Sequence, residues 1–244
     1  MRRALLALGG VIIVIIVIVL IRTLTVTSRQ MVVEPVADIT VDAEIAATRL
    51  AQALTYRTIS HQDPTRFDPQ PFRAFHRFLA DTYTIVHRTL KREVVGGYSL
   101  LYTWPGTDPA LKPIVLLAHM DVVPVDPGTE ADWLQPPFSG AVADGYVWGR
   151  GAIDDKASLV AILEAVEALV GEGFRPRRTL YLAFGHDEEI GGAGAAAMVE
   201  LLKESGVQAH YILDEGRSIT EGELPGVVGP VAQIGIAEKG YMTV

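Results

Sequence analysis

Four groups of imidazole and carboxylate side chains follow apolar segments in the second half of the chain. They are His119 with Asp121, Asp154 with Asp155, Asp187–Glu189, and Asp214 with Glu215. Zinc accepts imidazole and carboxylate ligands, and a carboxylate that does not bind the metal can take a proton from an attacking water. These residue types therefore predict a metal site with hydrolytic chemistry, and they favour an enzyme over a binding domain.

The apolar segments before these groups predict the elements that position them. Strands are expected at 99–104, 113–118, 179–184 and 210–213, and helices at 157–170 and 194–205. Strands that alternate with helices predict an α/β fold with a layered, mostly parallel sheet. Ligands of such sheets collect at the carboxyl ends of the strands, so we expect the four groups to meet at one edge.

The upstream segments predict structure without chemistry. Residues 42–56 have the apolar spacing of an amphipathic helix, and the polar, proline-bearing segment 60–71 predicts a loop. The next helix has a core-facing stripe made of Phe72, Phe75, Phe78 and Leu79. We expect the two histidines of this region, His76 and His87, to lie on the surface.

Composition limits the partners and the kind of site. The chain has 244 residues, 49% of them hydrophobic, which is enough for one sizeable core. Its formal net charge of −8 argues against nucleic acid as a partner. The absence of cysteine excludes disulfides and thiolate metal ligands.

Residues 4–21 form an uninterrupted apolar run that is flanked by arginines. As a helix it would be roughly 27 Å long, close to the hydrocarbon thickness of a bilayer. A cleaved signal peptide is the alternative, but its apolar core is usually shorter and ends at a small-residue cleavage site. We expect a membrane anchor at 1–22, a tether at 23–41 and a catalytic domain from 42 to 244 that is extracytoplasmic or lumenal.

Within the site, the spacing suggests a division of roles. In the His119-Met-Asp121 segment the carboxylate can hold the second imidazole nitrogen and so fix the tautomer that binds a metal. Of the adjacent acids Glu188 and Glu189, one could bind metal while the other accepts a proton. His186 points away from Asp187 on an extended backbone, and we do not expect it to be a ligand.

Four segments together resemble the dinuclear zinc exopeptidases. They are HMDVVP at 119–124, WLQPPFSGAVADGYVWGRGAIDDK at 133–156, HDEEIGG at 186–192 and ILDEG at 212–216. That family includes carboxypeptidase S, aminoacylase, glutamate carboxypeptidase and the N-fatty-acyl-amino-acid synthase/hydrolase, and the carboxypeptidase S branch is the most similar. The resemblance covers roughly residues 42–244. It implies a three-layer α/β catalytic domain, here preceded by one transmembrane helix.

The resemblance also implies a set of ligands for two zinc ions. His119 would bind one zinc, Asp154 would bridge both, and Glu189 would bind the second. Asp214 would complete the first site, with Glu215 as the alternative.

The implied reaction is hydrolysis of an amide bond in a small peptide or an N-acyl amino acid. Glu188 would be the general base that takes a proton from zinc-bound water, and Asp121 would orient His119. The peptide bond between Asp154 and Asp155 is expected to be cis.

Family members continue beyond the point matching Val244 into a lid and dimerisation domain, and a late histidine then binds the second zinc. Groups that bind the substrate's carboxylate, and a possible homodimer contact, belong to that region. We therefore expect this polypeptide alone to hold one zinc better than two and to be poorly active. A catalytically inactive, membrane-tethered fragment of the same fold is the alternative.

Overall fold

A computed structural model describes residues 2–27, 41–216 and 219–235, and the chain divides into two units, residues 1–40 and 41–244. The first unit contains one helix, α1 (Arg2–Leu24), about 35 Å long at 1.5 Å per residue. Its segment Leu6–Leu24 is long and apolar enough to cross a membrane, and its large apolar side chains are exposed. Both an anchor and a signal sequence have this property. Most of the predicted tether lies outside the described residues.

Of the five α-helices described in the second unit, the third was not predicted, and the others lie close to their predicted positions. The five are α2 (Ala43–Leu54), α3 (Pro69–Thr82), α4 (Thr84–Thr89), α5 (Lys156–Gly171) and α6 (Ala193–Glu204). Helix α3 begins inside the segment predicted to be a loop. The Asp68 side chain accepts the N–H of Gln70 at 2.9 Å, and Pro69 suits the first helical turn.

The strands of this unit build one central sheet and two small ribbons. Strands β1 (Lys91–Val95), β2 (Ser99–Trp104), β3 (Ile114–His119), β6 (Leu180–Gly185) and β7 (Tyr211–Leu213) pair in the order β1-β2-β6-β3-β7. Strands β4 (Ala141–Ala143) and β5 (Tyr146–Trp148) form one ribbon, and β8 (Ile219–Thr220) and β9 (Val231–Ala232) form the other.

Strand direction in the central sheet is mixed. Strands β3, β6 and β7 pair in parallel, whereas β2 is antiparallel to both β1 and β6. Of the five strands, β2 alone therefore runs in the reverse direction. The mostly parallel prediction describes the strand directions correctly but misses the antiparallel β1–β2 hairpin, whose turn contains Gly96 and Gly97 at positive φ.

Alternating side chains of the sheet face two different layers. Helices α2, α3, α4 and α5 cover one face and form a large aromatic core, in which Phe72, Phe75 and Phe184 are fully buried. Helix α6 covers the other face, where Met198 packs against a smaller cluster that includes Leu101. A sheet between two helical layers is a three-layer α/β arrangement.

The prediction that His76 and His87 lie on the surface was wrong. The Nε2–H of His76 donates to the Tyr98 carbonyl at 2.8 Å, and the ring is buried. His87 is partly buried between the Tyr83 carbonyl and the Tyr102 hydroxyl. Both rings find hydrogen-bond partners inside the helical layer, which allows polar groups to be buried there.

Candidate metal centre

Three parallel strands bring three of the four acidic groups to one edge of the sheet. Strand β3 ends at His119, which is paired in register with Gly185 at the end of β6, and β7 ends at Leu213. The residues that follow β6 and β7 are therefore neighbours of His119. The fourth group, Asp154 and Asp155, arrives from the loop that leads into α5.

The imidazole of His119 faces two carboxylates at this edge. Its Nε2 lies 2.8 Å from Asp154 Oδ1 and 3.4 Å from Glu215 Oε1. Ligand atoms of these three residues all lie within 4.8 Å of one another. The imidazole is buried, while the Asp154 side chain is 62% exposed, so the group opens to solvent on one side. One borderline nitrogen and two carboxylate oxygens converging in this way fit a zinc ion.

Of the two acids after β7, the structure brings Glu215 and not Asp214 into this group. Asp214 Oδ1 instead accepts the N–H of Glu215 at 2.9 Å. Asp214 was the first choice on sequence and Glu215 the alternative. Of this pair, Glu215 is therefore the acid that lies within ion-pair distance of the imidazole.

The carboxylate of Asp121 joins two parts of the site. It is fully buried, and its Oδ1 lies 3.3 Å from His119 Nδ1. The same carboxylate accepts the backbone N–H groups of Glu188 at 3.1 Å and Glu189 at 3.2 Å. Asp121 is therefore placed to orient the imidazole and, in addition, to hold the turn that carries both glutamates.

The three acids after β6 have different surroundings. Asp187 accepts the N–H of Gly194 at 2.9 Å and so anchors the first turn of α6. Glu188 lines a small cavity together with His119, whereas Glu189 lines a separate cleft together with Asp154. The turn thus places the two glutamates in different cavities, Glu188 with His119 and Glu189 with Asp154.

His186 takes no part in the metal-ligand group. Its Nδ1 lies 2.7 Å from Ser99 Oγ, and the ring is buried against Phe67, Phe72 and Tyr98. The ring thus supports the turn from the side of the aromatic core.

The acidic surroundings shift the pKa values of the site. Burial alone would lower the pKa of His119, but hydrogen bonds to Asp121 and Asp154 and the charge of Glu215 raise it to about 10. Burial and neighbouring carboxylates raise the pKa of Glu215 to about 7. Burial also raises the pKa of Glu188, aided by the charges of nearby acids. The carboxylates alone account for the rise at His119, whereas at Glu215 and Glu188 they add to the larger effect of burial, and the same negative charge favours a bound cation.

The peptide bond between Asp154 and Asp155 is cis, as the resemblance implied. Asp155 is fully buried, and its Oδ2 accepts the backbone N–H of His119 at 3.2 Å. The two aspartates thus contact opposite sides of the same residue, since Asp154 meets the imidazole and Asp155 meets the backbone.

Lys156 anchors the loop that carries Asp154 and Asp155 to the end of α2, a role that the sequence does not reveal. Its side chain is fully buried and donates to the carbonyls of Ala53 at 3.1 Å and Tyr56 at 2.7 Å, at the end of α2. The ammonium also lies 4.9 Å from the Phe75 ring centroid, a cation–π contact. Because its acceptors lie about a hundred residues upstream, no local pattern could identify them.

An apolar cleft of about 1020 Å³ opens beside the acidic edge. Asp154 and Glu189 lie on its wall, and its aromatic lining comes from the β4–β5 ribbon and the preceding loop, through Trp133, Tyr146 and Trp148. A largely apolar cleft with a few polar groups is the usual form of a small-molecule site. The cleft gives a small molecule room beside Asp154 and Glu189.

Comparison with known proteins connects these features to one family. The family model described as peptidase family M20/M25/M40 matches residues 115–236, which include all four acidic groups. A probable carboxypeptidase S-like protein of Dictyostelium discoideum is 42% identical over 92% of this chain and 45% of its own length. An N-fatty-acyl-amino acid synthase/hydrolase of Danio rerio is 49% identical over 64% of this chain and 30% of its own. The chain spans less than half the length of these relatives.

Solved structures share the fold. Human carnosine dipeptidase 1 superposes with a TM-score of 0.58 at 24% identity, over 73% of this chain and 40% of that protein. An M20 family metallo-carboxypeptidase of Sulfolobus solfataricus gives a TM-score of 0.58 at 23% identity, over 71% of this chain and 38% of that protein.

Proposed function

Because the chain belongs to peptidase family M20/M25/M40, whose members are hydrolases, we propose that it is the catalytic part of a zinc-dependent amidohydrolase of carboxypeptidase or acyl-amino-acid type. The convergence of His119 Nε2 with Asp154 and Glu215 at the open edge of the sheet carries this proposal. The substrate is a small peptide or an N-acyl amino acid. A homodimer is part of the proposal, through chain outside these 244 residues.

His119, Asp154 and Glu215 would hold one metal ion, and Asp154 and Glu189 would contribute to holding a second. A bound zinc ion supplies a Lewis acid that polarises the scissile carbonyl and lowers the pKa of a water. The carboxylate of Glu188, which lies beside His119 in the small cavity, accepts a proton from the attacking water. It then returns this proton to the leaving nitrogen as the amide bond breaks.

The environment of Glu188 suits proton transfer. Burial and nearby carboxylates raise the pKa of Glu188, so it is closer to neutral pH than the pKa of a free glutamate. The Asp121 carboxylate holds the backbone N–H of Glu188, so the base is fixed relative to the imidazole. Asp121 is thus a positioning residue for both the ligand and the base.

Helix α1 is the proposed membrane anchor. Its apolar segment is long enough to span a bilayer, and arginines lie on both sides of it. The protein is then a single-pass membrane protein whose catalytic domain is extracytoplasmic or lumenal.

The test measures amine release from dipeptides and N-acyl amino acids by the full natural polypeptide. We expect activity with zinc, loss after chelation and recovery when zinc is restored. Hydrolysis that is indifferent to chelation would refute the metal assignment, and no hydrolysis of any amide by the zinc-loaded protein would refute the proposed function.

Glu215 and Asp214 provide a matched pair for the choice of ligand. Glu215→Gln should weaken zinc binding by about tenfold or more, whereas Asp214→Asn should change it by less than about threefold, because the Glu215 carboxylate lies 3.4 Å from His119 Nε2 and the Asp214 carboxylate instead accepts the N–H of Glu215. Zinc affinity is measured by competition with a chelator. The reverse order would restore Asp214 as the ligand.

A further inference from the structure

The apolar cleft beside Asp154 and Glu189 contains one cationic side chain, Arg150, among its lining residues. The guanidinium carbon of Arg150 lies 5.3 Å from the ring centroid of Trp133, so the two groups stack. Cation–π stacking favours a flat guanidinium on an aromatic face and limits its orientations. The arginine is therefore positioned by its contact with the tryptophan.

The guanidinium of Arg150 has no partner of opposite charge in the part of the chain that the structure describes. Its Nε is buried without a hydrogen bond, and none of the ion pairs among the described residues includes it. Asp154 and Glu189 line the same cleft, but neither forms an ion pair with Arg150. Since a buried donor without an acceptor is costly, this charge is suited to an anion from outside the chain.

The remaining lining of the cleft is apolar and open. Leu134 is 81% exposed and Ile153 is 87% exposed, and the aromatic rings of Tyr146 and Trp148 lie 5.9 Å apart beside them. Exposed apolar side chains grouped around one cation match a ligand with an apolar body and one anionic group. A phosphate ion would pair with the guanidinium but leave the apolar wall exposed.

We propose that Arg150, stacked on Trp133, is a specificity-determining residue that binds the carboxylate of an amphiphilic substrate whose apolar part lies along Leu134, Tyr146 and Ile153. This inference rests on the proposed amide hydrolysis and assigns to Arg150 the recognition of the substrate's free carboxylate. It also differs from the expectation that carboxylate recognition lies beyond Val244, because the described chain provides a cation of its own.

The experiment compares two substrates that differ only in charge, an N-acyl amino acid and the same compound with its carboxylate converted to a carboxamide. The full natural polypeptide, loaded with zinc, should prefer the carboxylate through a lower KM. Arg150→Met should reduce this preference about 10- to 100-fold, the size expected for one hydrogen bond to a charged group. Arg150→Lys should keep part of the preference because it retains the charge.

Arg57 supplies a matched control. Its guanidinium carbon lies 4.8 Å from the Phe138 ring centroid, so it is also stacked on an aromatic ring, but it lines a different cavity. Arg57→Met should leave the ratio of kcat/KM for the two substrates unchanged. An Arg150→Met variant that slows both substrates equally would show a structural role only and would overturn the proposal.

A binding measurement separates this proposal from the hydrolase assignment. In the Glu188→Gln background, the Kd of the N-acyl amino acid should rise about 10- to 100-fold when Arg150→Met is added, while the Kd of the carboxamide should not change. If wild type hydrolyses neither compound but this difference in Kd is present, the hydrolase assignment fails and the Arg150 assignment stands. Equal Kd values would overturn the Arg150 assignment whatever the turnover.

Discussion

His119 at the acidic edge of the sheet and His76 in the aromatic layer under α3 are both buried, yet their pKa values move in opposite directions. The pKa of His119 rises to about 10 because Asp121, Asp154 and Glu215 outweigh the effect of burial. The pKa of His76 falls to about 4, chiefly because of burial, which its single hydrogen bond to the Tyr98 carbonyl does not offset. Arg92 and His186 lower it slightly further.

The difference shows how each region treats charge. In the aromatic layer the buried polar groups have hydrogen-bond partners, as His76 does and as Lys156 does through the carbonyls at the end of α2. The acidic edge instead gathers like charges that repel one another unless a cation is present. Stability is therefore expected to depend on the aromatic layer, and metal binding and turnover on the acidic edge.

Glu188→Gln should have the largest effect and should act on the acidic edge alone. We expect turnover to fall by roughly 10²- to 10⁴-fold, the usual contribution of a general acid–base group. Zinc content and the urea midpoint should not change. The control is Glu200→Gln, an exposed residue paired with Lys203. Turnover above a tenth of the wild-type value would contradict the assignment of the base.

Phe75→Ala should act on the aromatic layer. The side chain is fully buried against Tyr56 and Phe78 and lies under Lys156, so its removal should cost about 3–5 kcal/mol of unfolding free energy. Phe174→Ala, at a half-exposed ring, should cost less than about 1 kcal/mol. Urea denaturation measures both variants, and equal losses would mean that this layer is not the main core.

Asp121→Asn tests the support of the ligands within the acidic edge. An amide can accept only through one oxygen, so it cannot serve both backbone N–H groups of the Glu188–Glu189 turn and the imidazole. Zinc affinity should fall about 10- to 100-fold, as is typical when a group that orients a ligand is lost. Asp108→Asn, at an exposed ion pair, is the control. An unchanged zinc affinity would show that Asp121 does not position the metal ligands.

His76→Gln should have the smallest effect and should appear only in acid. The folded-state pKa lies below the unfolded value, so the unfolded chain alone takes up this proton as pH falls from about 6.5 towards 4. The unfolding free energy of the wild type therefore falls between about pH 6.5 and 4. At pH 4.5 the variant should have lost about 2 kcal/mol less than the wild type. Above pH 7 the pH dependence of the two should match. If the unfolding free energies of wild type and variant changed with pH in the same way throughout, His76 would not be buried as a neutral ring.

Local patterns predicted the central strands well and the edge strand poorly. Strands β2, β3 and β6 are short apolar runs, and their observed bounds lie within about two residues of the predicted ones. Strand β1 was missed because its sequence, KREVV, is mostly charged, as suits an edge strand that is largely exposed. The β4–β5 ribbon was also missed, because three-residue strands carry too little periodicity to be recognised.

The sequence alone determined the types of the chemical groups and their order, because apolar runs that precede His119, Asp187–Glu189 and Asp214–Glu215 can only become strands that end at one sheet edge. The family resemblance also depends on the types and order of these residues in the sequence. Tertiary structure decided which acid after β7 lies next to His119, namely Glu215 and not Asp214. It also decided that His76 is buried against the backbone of Tyr98 and that Arg150 lies on Trp133. These outcomes depend on contacts between segments far apart in the chain, which composition and local periodicity do not encode.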